Sequence, residues 1–209
     1  IYGKNIDLYS NRIQSYNPLT NDSLKKMAEE IPKVVKNILP NEKLDCIAYG
    51  CTSGTIAAGY NSIYEKINLV KPNTKVTTPI TSILNALKIL KVNKLSIFTP
   101  YTKEINQSLI KFFDKKEIEI VELSYFDIAS DIDIGKVDPN HLFDVISKKN
   151  LTKSDALFVS CTALPVLSII NELEKKLDKI ILSSNQALIW DTLRQIGFKE
   201  KDEKFGELL

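Results

Sequence analysis

Two cysteines are marked out by what surrounds them. Cys51 stands in DCIAYGCTSGT (residues 45–55) and Cys161 in DALFVSCTA (residues 155–163). Each motif is an aspartate, five mostly apolar residues and then Cys-Thr, so Asp45 matches Asp155 and Cys51 matches Cys161 at the same offset of 110 (155 − 45 and 161 − 51). An apolar run that stops at Cys-Thr reads as a buried strand with a thiol at its carboxyl end. In parallel α/β sheets ligands bind beyond that end, where the next helix offers free backbone N–H groups to an anion. The same helix end is expected to lower a thiol pKa and make base or nucleophile chemistry accessible near neutral pH. Two such thiols facing each other across a cleft suit proton removal from one face of a small molecule and delivery to the other.

Other reactive residue types read more plainly. Cys46 lies inside the first strand and is expected to be a small buried hydrophobe. His141, the one histidine, sits near a helix start and reads as solvated or capping, and Trp190 falls on an apolar helix face. One histidine and separated cysteines give no metal site. YGCTSG lacks the lysine of a nucleotide-binding loop.

The elements that must position the thiols alternate strictly. Residues 6–13 show strand-like alternation. Leu24, Met27, Ile31, Val34, Val35 and Ile38 then fall on one helical face, capped by a residue among 20–23 and kinked at Pro32. Strand 44–50 follows, a turn at 52–54, a helix over 55–67, a strand near Val76 and a helix from Ile80 to Leu90. The second half brings strand LSIFTPY from Lys94, helix 104–113, strand 118–123, helix 140–149, strand 156–160, helix 166–177, strand 180–182 and helix 186–196. Continuous apolar strands between helices imply parallel sheets covered on both faces. Aligning the halves pairs Thr78-Pro79 with Ser184-Asn185 at an offset of 106 (184 − 78), a small loop deletion from 110. The strand and helix over 94–116 have no counterpart before Ile6, which predicts a further N-terminal strand and helix in the native protein.

Composition fits this layout. The 209 residues are 44% hydrophobic, with 28 basic against 26 acidic residues and no basic block, which disfavours nucleic acid or an anionic membrane as partner. No apolar run reaches the length of a membrane span, and three cysteines without framework spacing fit a reducing, cytoplasmic compartment. The charged stretch 199–204 reads as a solvated turn.

The segments YGCTSGT (49–55), VTTPITSILNAL (76–87), FTPYTKEIN (98–106), ALFVSCTALP (156–165), SSNQALIWDTLRQIG (183–197) and the terminal FGELL resemble the aspartate/glutamate racemase superfamily. Within it they are similar to the branch of maleate cis-trans isomerases, ectoine-utilisation protein A and arylmalonate decarboxylases. That resemblance implies a cofactor-independent enzyme and a homodimer or larger assembly. It also implies two pseudo-symmetric four-stranded, flavodoxin-like parallel domains, residues 1–91 with 186–209 and residues 92–185, the last helix crossing back onto the first. It implies Cys51 and Cys161 as the catalytic pair, with Thr52, Ser53, Tyr101 and Thr162 holding a small carboxylate or its enediolate. Tyr101 also reads as a simple loop cap. In isomerases of the branch the first cysteine adds to a double bond and the second acts as acid, racemases use the pair as opposed acid/bases, and decarboxylases have glycine in place of the first. Asp131 stands near an isomerase asparagine position, where its charge would repel a substrate carboxylate. Decarboxylation and non-catalytic binding of a small acid are the competing readings.

Overall fold

The computed structural model describes residues 6–199 and 202–209. Its elements in chain order are α1 (Asn21–Glu29), α2 (Ile31–Lys36), β1 (Cys46–Ala48), α3 (Thr52–Ala58), α4 (Tyr60–Val70), β2 (Lys75–Thr77), α5 (Pro79–Leu90), β3 (Lys94–Thr99), α6 (Lys103–Asp114), β4 (Glu119–Tyr125), α7 (Asp131–Gly135), α8 (Pro139–Ile146), β5 (Ala156–Val159), α9 (Ile170–Leu177), β6 (Ile180–Ser183) and α10 (Ser184–Gln195). Among the described residues the strands form two parallel sheets, β1-β2 and β4-β3-β5-β6.

The second sheet shows why its strands are continuous apolar runs. Side chains alternate between faces along a strand. In β5, Leu157 and Val159 join one core cluster with Leu142 and Ile146 of α8 and Ile170 and Leu173 of α9. Ala156 and Phe158 join the other, with Leu109 and Phe113 of α6 and Trp190 of α10. Both faces are covered, so no position can be polar. Each large apolar side chain fully buried in this way contributes about 1.5–3 kcal/mol. Trp190 is 5% exposed in that second cluster, the core position expected of it.

The internal repeat is exact in register but not at the offset read from sequence. Cys46 pairs with Lys75, and Ala156 with Ile180. The offsets are therefore 110 (156 − 46) and 105 (180 − 75). The caps agree: Thr78 opens α5 in a reciprocal cap with Thr81, and Ser183 opens α10 in one with Gln186, again 105 apart (183 − 78). Ser183, not Ser184, is therefore the equivalent of Thr78, which makes the offset 105 rather than 106.

Several elements differ from expectation. Residues 6–13 form no strand. In the second sheet β3 lies between β4 and β5, whereas the corresponding flank of β1 holds an apolar cavity of about 210 Å³, lined in part by Asn11, Ile13, Val35, Ile47 and Tyr49, so residues 6–13 have no ladder to join. The first sheet thus has two strands among the described residues, where three were expected in this chain. The expected helix 55–67 is two helices, because Gly59 takes φ +83°, which a side chain disfavours, and breaks the run. The expected helix 166–177 begins only at Ile170. The kink at Pro32 is present: α1 ends at Glu29 and Pro32 sits in the first turn of α2, where its missing N–H costs nothing. Of the charged turn 199–204, Glu200 and Lys201 lie outside the described residues, while Asp202 and Lys204 are exposed.

The last helix is what brings the sheets together. α10 leaves β6 and packs on α5, β1 and β2. The buried Asp191 accepts from Ser82 at 2.9 Å and Asn85 at 3.2 Å, and the hydroxyls of Thr192 and Thr77 are 2.8 Å apart. Among the described residues no helix is long and apolar enough to cross a membrane.

Candidate active site

Cys51 is the N-cap of α3. Its thiol takes the place of the usual hydroxyl or carboxylate and accepts the Gly54 N–H at 3.2 Å. The expected turn at 52–54 is therefore already helix, and Thr52 and Ser53 occupy its first two positions, whose N–H groups have no carbonyl one turn earlier to bond. Gly54 has no room for a side chain: a Cβ there would lie 2.8 Å from Met27 Cε, 2.8 Å from Tyr49 Oη and 2.9 Å from Cys51 Sγ. The Ser53 hydroxyl is 3.8 Å from the Cys51 sulfur.

Cys161 is built differently. It follows β5 by two residues and precedes a turn rather than a helix, with its sulfur accepting the Ala163 N–H at 3.4 Å. Its φ is +107°, a conformation costing a non-glycine residue on the order of 1–3 kcal/mol. Three bonds hold it there. The Cys161 N–H donates to Ser184 Oγ at 3.0 Å, the Thr162 hydroxyl to the Gly50 carbonyl at 2.8 Å, and the Asn185 amide to the Thr162 carbonyl at 2.9 Å. Strain held by surrounding structure is the signature of a site whose geometry matters.

Those bonds also face the halves toward each other. Ser184 Oγ accepts the Thr52 hydroxyl at 2.8 Å as well as the Cys161 N–H, so the residue after one cysteine and the backbone of the other share one oxygen. Thr162 ties the residue after Cys161 to the residue before Cys51. The sulfurs are close enough that charge on Cys51 raises the pKa of Cys161.

Tyr101 is 1% exposed and completes the cluster. Its loop is fixed from both sides, with its N–H on Thr99 Oγ1 at 3.2 Å and its carbonyl receiving the Asn106 amide at 3.0 Å. The hydroxyl accepts from Ser160 at 3.4 Å and sits beside the Cys161 sulfur, whose thiolate form it favours.

Electrostatics overturn one expectation. Both thiols are raised, not lowered. For Cys51 burial outweighs the Gly54 N–H and Ser53 hydroxyl, and for Cys161 burial pushes the thiol up to about 12 against the Ala163 N–H and Tyr101. Desolvation penalises the thiolate more than a few donors favour it. The Asp131 carboxylate, at the first position of α7, adds the smallest part of the rise at both cysteines, so it lies within electrostatic reach of the site.

The remaining candidates fall outside this cluster. Cys46 is half-buried, 4.0 Å from Thr77 Oγ1, with its thiol pushed to about 11 by burial. His141 is exposed, stacks on Phe126 at 5.9 Å and gives its backbone N–H to Asp138 in the α8 cap. Asp155 accepts the N–H groups of Asn93 and Lys94, which hold its carboxyl below the usual range, and so anchors the start of its motif. Among the described residues no three His, Cys, Asp or Glu side chains group to hold a metal. Sequence reasoning missed Ser184, Asn185 and Tyr49. The Ser183-x-x-Gln186 capping pattern was a usable signal for the first two, since it places Ser184 at the first helical position facing the end of β5.

The family model described as arylmalonate decarboxylase matches residues 18–209. The chain belongs to that family. Among its relatives, the maleate isomerase of Geobacillus stearothermophilus is 24% identical over 199 residues, covering 91% of this chain and 79% of that protein. The crystal structure of the maleate isomerase of Pseudomonas putida S16 superposes with a TM-score of 0.88 at 20% identity, covering 96% of this chain and 84% of the other. A cysteine-to-serine mutant of the Nocardia farcinica maleate cis-trans isomerase, with a covalently bound succinylcysteine intermediate, gives 0.86 at 16% identity with the same coverages. At these identities the structures establish the fold. This family member has the racemase-like α/β architecture the resemblance implied.

Proposed function

We propose that this protein is a cofactor-independent isomerase or racemase of a small carboxylate, with Cys51 and Cys161 acting from opposite sides. The observation that carries the reading is the pair of thiols at equivalent strand ends, locked together through Ser184 and through Thr162 and Gly50. A substrate carboxylate sits at the first turn of α3 beside Thr52 and Ser53, with Tyr101 completing its hydrogen bonds. Backbone donors and a fixed phenol there stabilise the enediolate that either route passes through.

In a racemisation the thiolate of one cysteine takes the α-proton and the C–H electron pair moves into the carboxylate. The opposed thiol returns a proton to the other face and becomes the thiolate, so the pair exchanges roles each turnover. In a cis-trans isomerisation the Cys51 thiolate forms a C–S bond to one alkene carbon and the π pair moves toward the carboxylate. The opposed Cys161 thiol gives its proton to the neighbouring carbon, the former double bond rotates, the Cys161 thiolate takes that proton back, and the pair returns to expel the sulfur. The succinylcysteine found in the Nocardia relative supports the second route for Cys51. Thiols raised by burial suit both, because each is a strong base once its proton has been passed on.

Asp131 narrows the substrate. A negative charge within electrostatic reach of both thiols disfavours a second carboxylate and favours a neutral or cationic group in its place. Incubation of α-amino acids, unsaturated monoacids and maleate in deuterium oxide tests the proposal. Isomerised product, or deuterium at the α-carbon, is the expected result for one of the first two classes. Binding without exchange or isomerisation across all three contradicts the isomerase or racemase and favours a small-acid binding module.

The family's decarboxylase description supports a second reading, as does the apolar cluster of Val159, Leu164 and Val166 that includes Cys161. In that reading Cys161 alone protonates the carbanion left by carbon dioxide. Release of carbon dioxide from aryl- or alkylmalonates by Cys51→Ala distinguishes it.

A further inference from the structure

Tyr49 precedes Cys51 by two residues and is 7% exposed, and its hydroxyl has no hydrogen-bond partner among the described residues. A buried hydroxyl left without a partner is destabilising, so an orphan of this kind calls for a reason. Its position supplies one. Tyr49 Oη and Cys51 Sγ lie 2.8 and 2.9 Å from the same point above Gly54, the point a side chain there would fill. Absence of that side chain leaves the phenol and the sulfur bordering the same small space.

The second half shows what such a pair does. Tyr101 is buried beside Cys161 and favours the thiolate form of that sulfur, and it has the Ser160 hydroxyl behind it. Cys51 instead accepts the Gly54 N–H and has the Ser53 hydroxyl at 3.8 Å. A neutral thiol is a weak acceptor and does not compel the Tyr49 hydroxyl to turn, whereas a thiolate gains strongly from a further donor.

We propose that Tyr49 is a positioning residue for Cys51, its hydroxyl becoming a hydrogen-bond donor to the sulfur whenever that sulfur carries negative charge. Burial and the neighbouring cysteine push the Tyr49 phenol well above its ordinary range, so it keeps its proton and remains a donor when Cys51 ionises. The other titratable groups within electrostatic reach of Cys51 are the Asp131 carboxylate, the Cys161 thiol and the Tyr101 phenol, and none of them is altered by removing the Tyr49 oxygen. The role rests on the reading of Cys51 as a thiol that ionises during turnover.

The test is alkylation of Cys51 by iodoacetamide across a pH series, read site by site by mass spectrometry, in the unmutated protein, Tyr49→Phe and Met27→Leu. Losing one hydrogen bond to a charged sulfur shifts ionisation by about one pH unit, so Tyr49→Phe should alkylate at Cys51 about tenfold more slowly at a pH on the rising limb. Cys161 in the same sample should keep its profile. Met27→Leu, which changes the third atom bordering the same point without touching a hydrogen bond, should behave as the unmutated protein does. Equal slowing in Met27→Leu, or an unshifted profile in Tyr49→Phe, overturns the role, since the first makes the effect packing and the second removes it. Failure of Cys51 to alkylate at any pH in the unmutated protein overturns the thiolate itself, and with it the proposed function.

Discussion

Cys161 gives its backbone N–H to Ser184 Oγ at 3.0 Å, and the same oxygen receives the Thr52 hydroxyl at 2.8 Å. One side chain at the start of α10 therefore fixes the strained backbone of one cysteine and the residue that follows the other. Ser184→Ala leaves both buried donors without an acceptor, at a cost of about 2 to 4 kcal/mol. The urea midpoint should fall with an unchanged m-value, and kcat should fall further than that stability loss alone explains.

Gly54→Ala places a methyl group within 3 Å of both the Cys51 sulfur and the Tyr49 hydroxyl. The helix itself tolerates alanine better than glycine. Activity should drop on the order of tenfold or more as the thiol is displaced, while far-UV circular dichroism remains that of the unmutated protein. Full activity in a folded Gly54→Ala protein contradicts the tight placement of Cys51.

Asp131→Asn removes a negative charge that raises both thiols. Both pKa values should move down, so at a fixed pH near 8 each cysteine should alkylate on the order of threefold faster, and the acid limb of the rate profile should move to lower pH. Specificity should shift with it. A dicarboxylate such as maleate should gain relative to a monoacid, read as the ratio of their kcat/KM values.

Stability should respond to alkaline pH with a defined sign. Cys161 has an ordinary value of 9.0 and is pushed up to about 12 in the fold, so the folded state holds its proton more tightly than the unfolded state does. Stabilisation from this group is complete below pH 9 and is lost as pH rises from about 9 to about 12. Chemical denaturation at pH 8 and pH 10 should show a larger decline in the unmutated protein than in Cys161→Ala, whose decline lacks this contribution.

Much of this was legible in the chain. The repeated Asp-apolar-Cys-Thr grammar located both thiols, and the unbroken run 156–159 announced a strand buried on both faces, because Leu157 and Phe158 each meet a different core. Illegible features depended on partners distant in sequence. The alternation over 6–13 suits a strand, but a strand exists only when another pairs with it. Cys51 as its own helix cap was hidden because sulfur is an uncommon cap, which set the helix start three residues late. The positive φ of Cys161 and the shared oxygen of Ser184 arise from α10 packing back across the molecule, which no local pattern encodes. The low thiol pKa expected from helix-end donors does not hold, because burial of both sulfurs outweighs those donors.

The central claim is that two opposed thiols share one reaction, and the decisive measurement is turnover of the substrate found in deuterium oxide by Cys51→Ala and Cys161→Ala, each shown to be folded by its thermal melt. Loss of at least about a thousandfold in kcat in both variants is the predicted result, since neither half of the pair has a substitute. A folded variant of either kind that keeps turning over contradicts the two-thiol account.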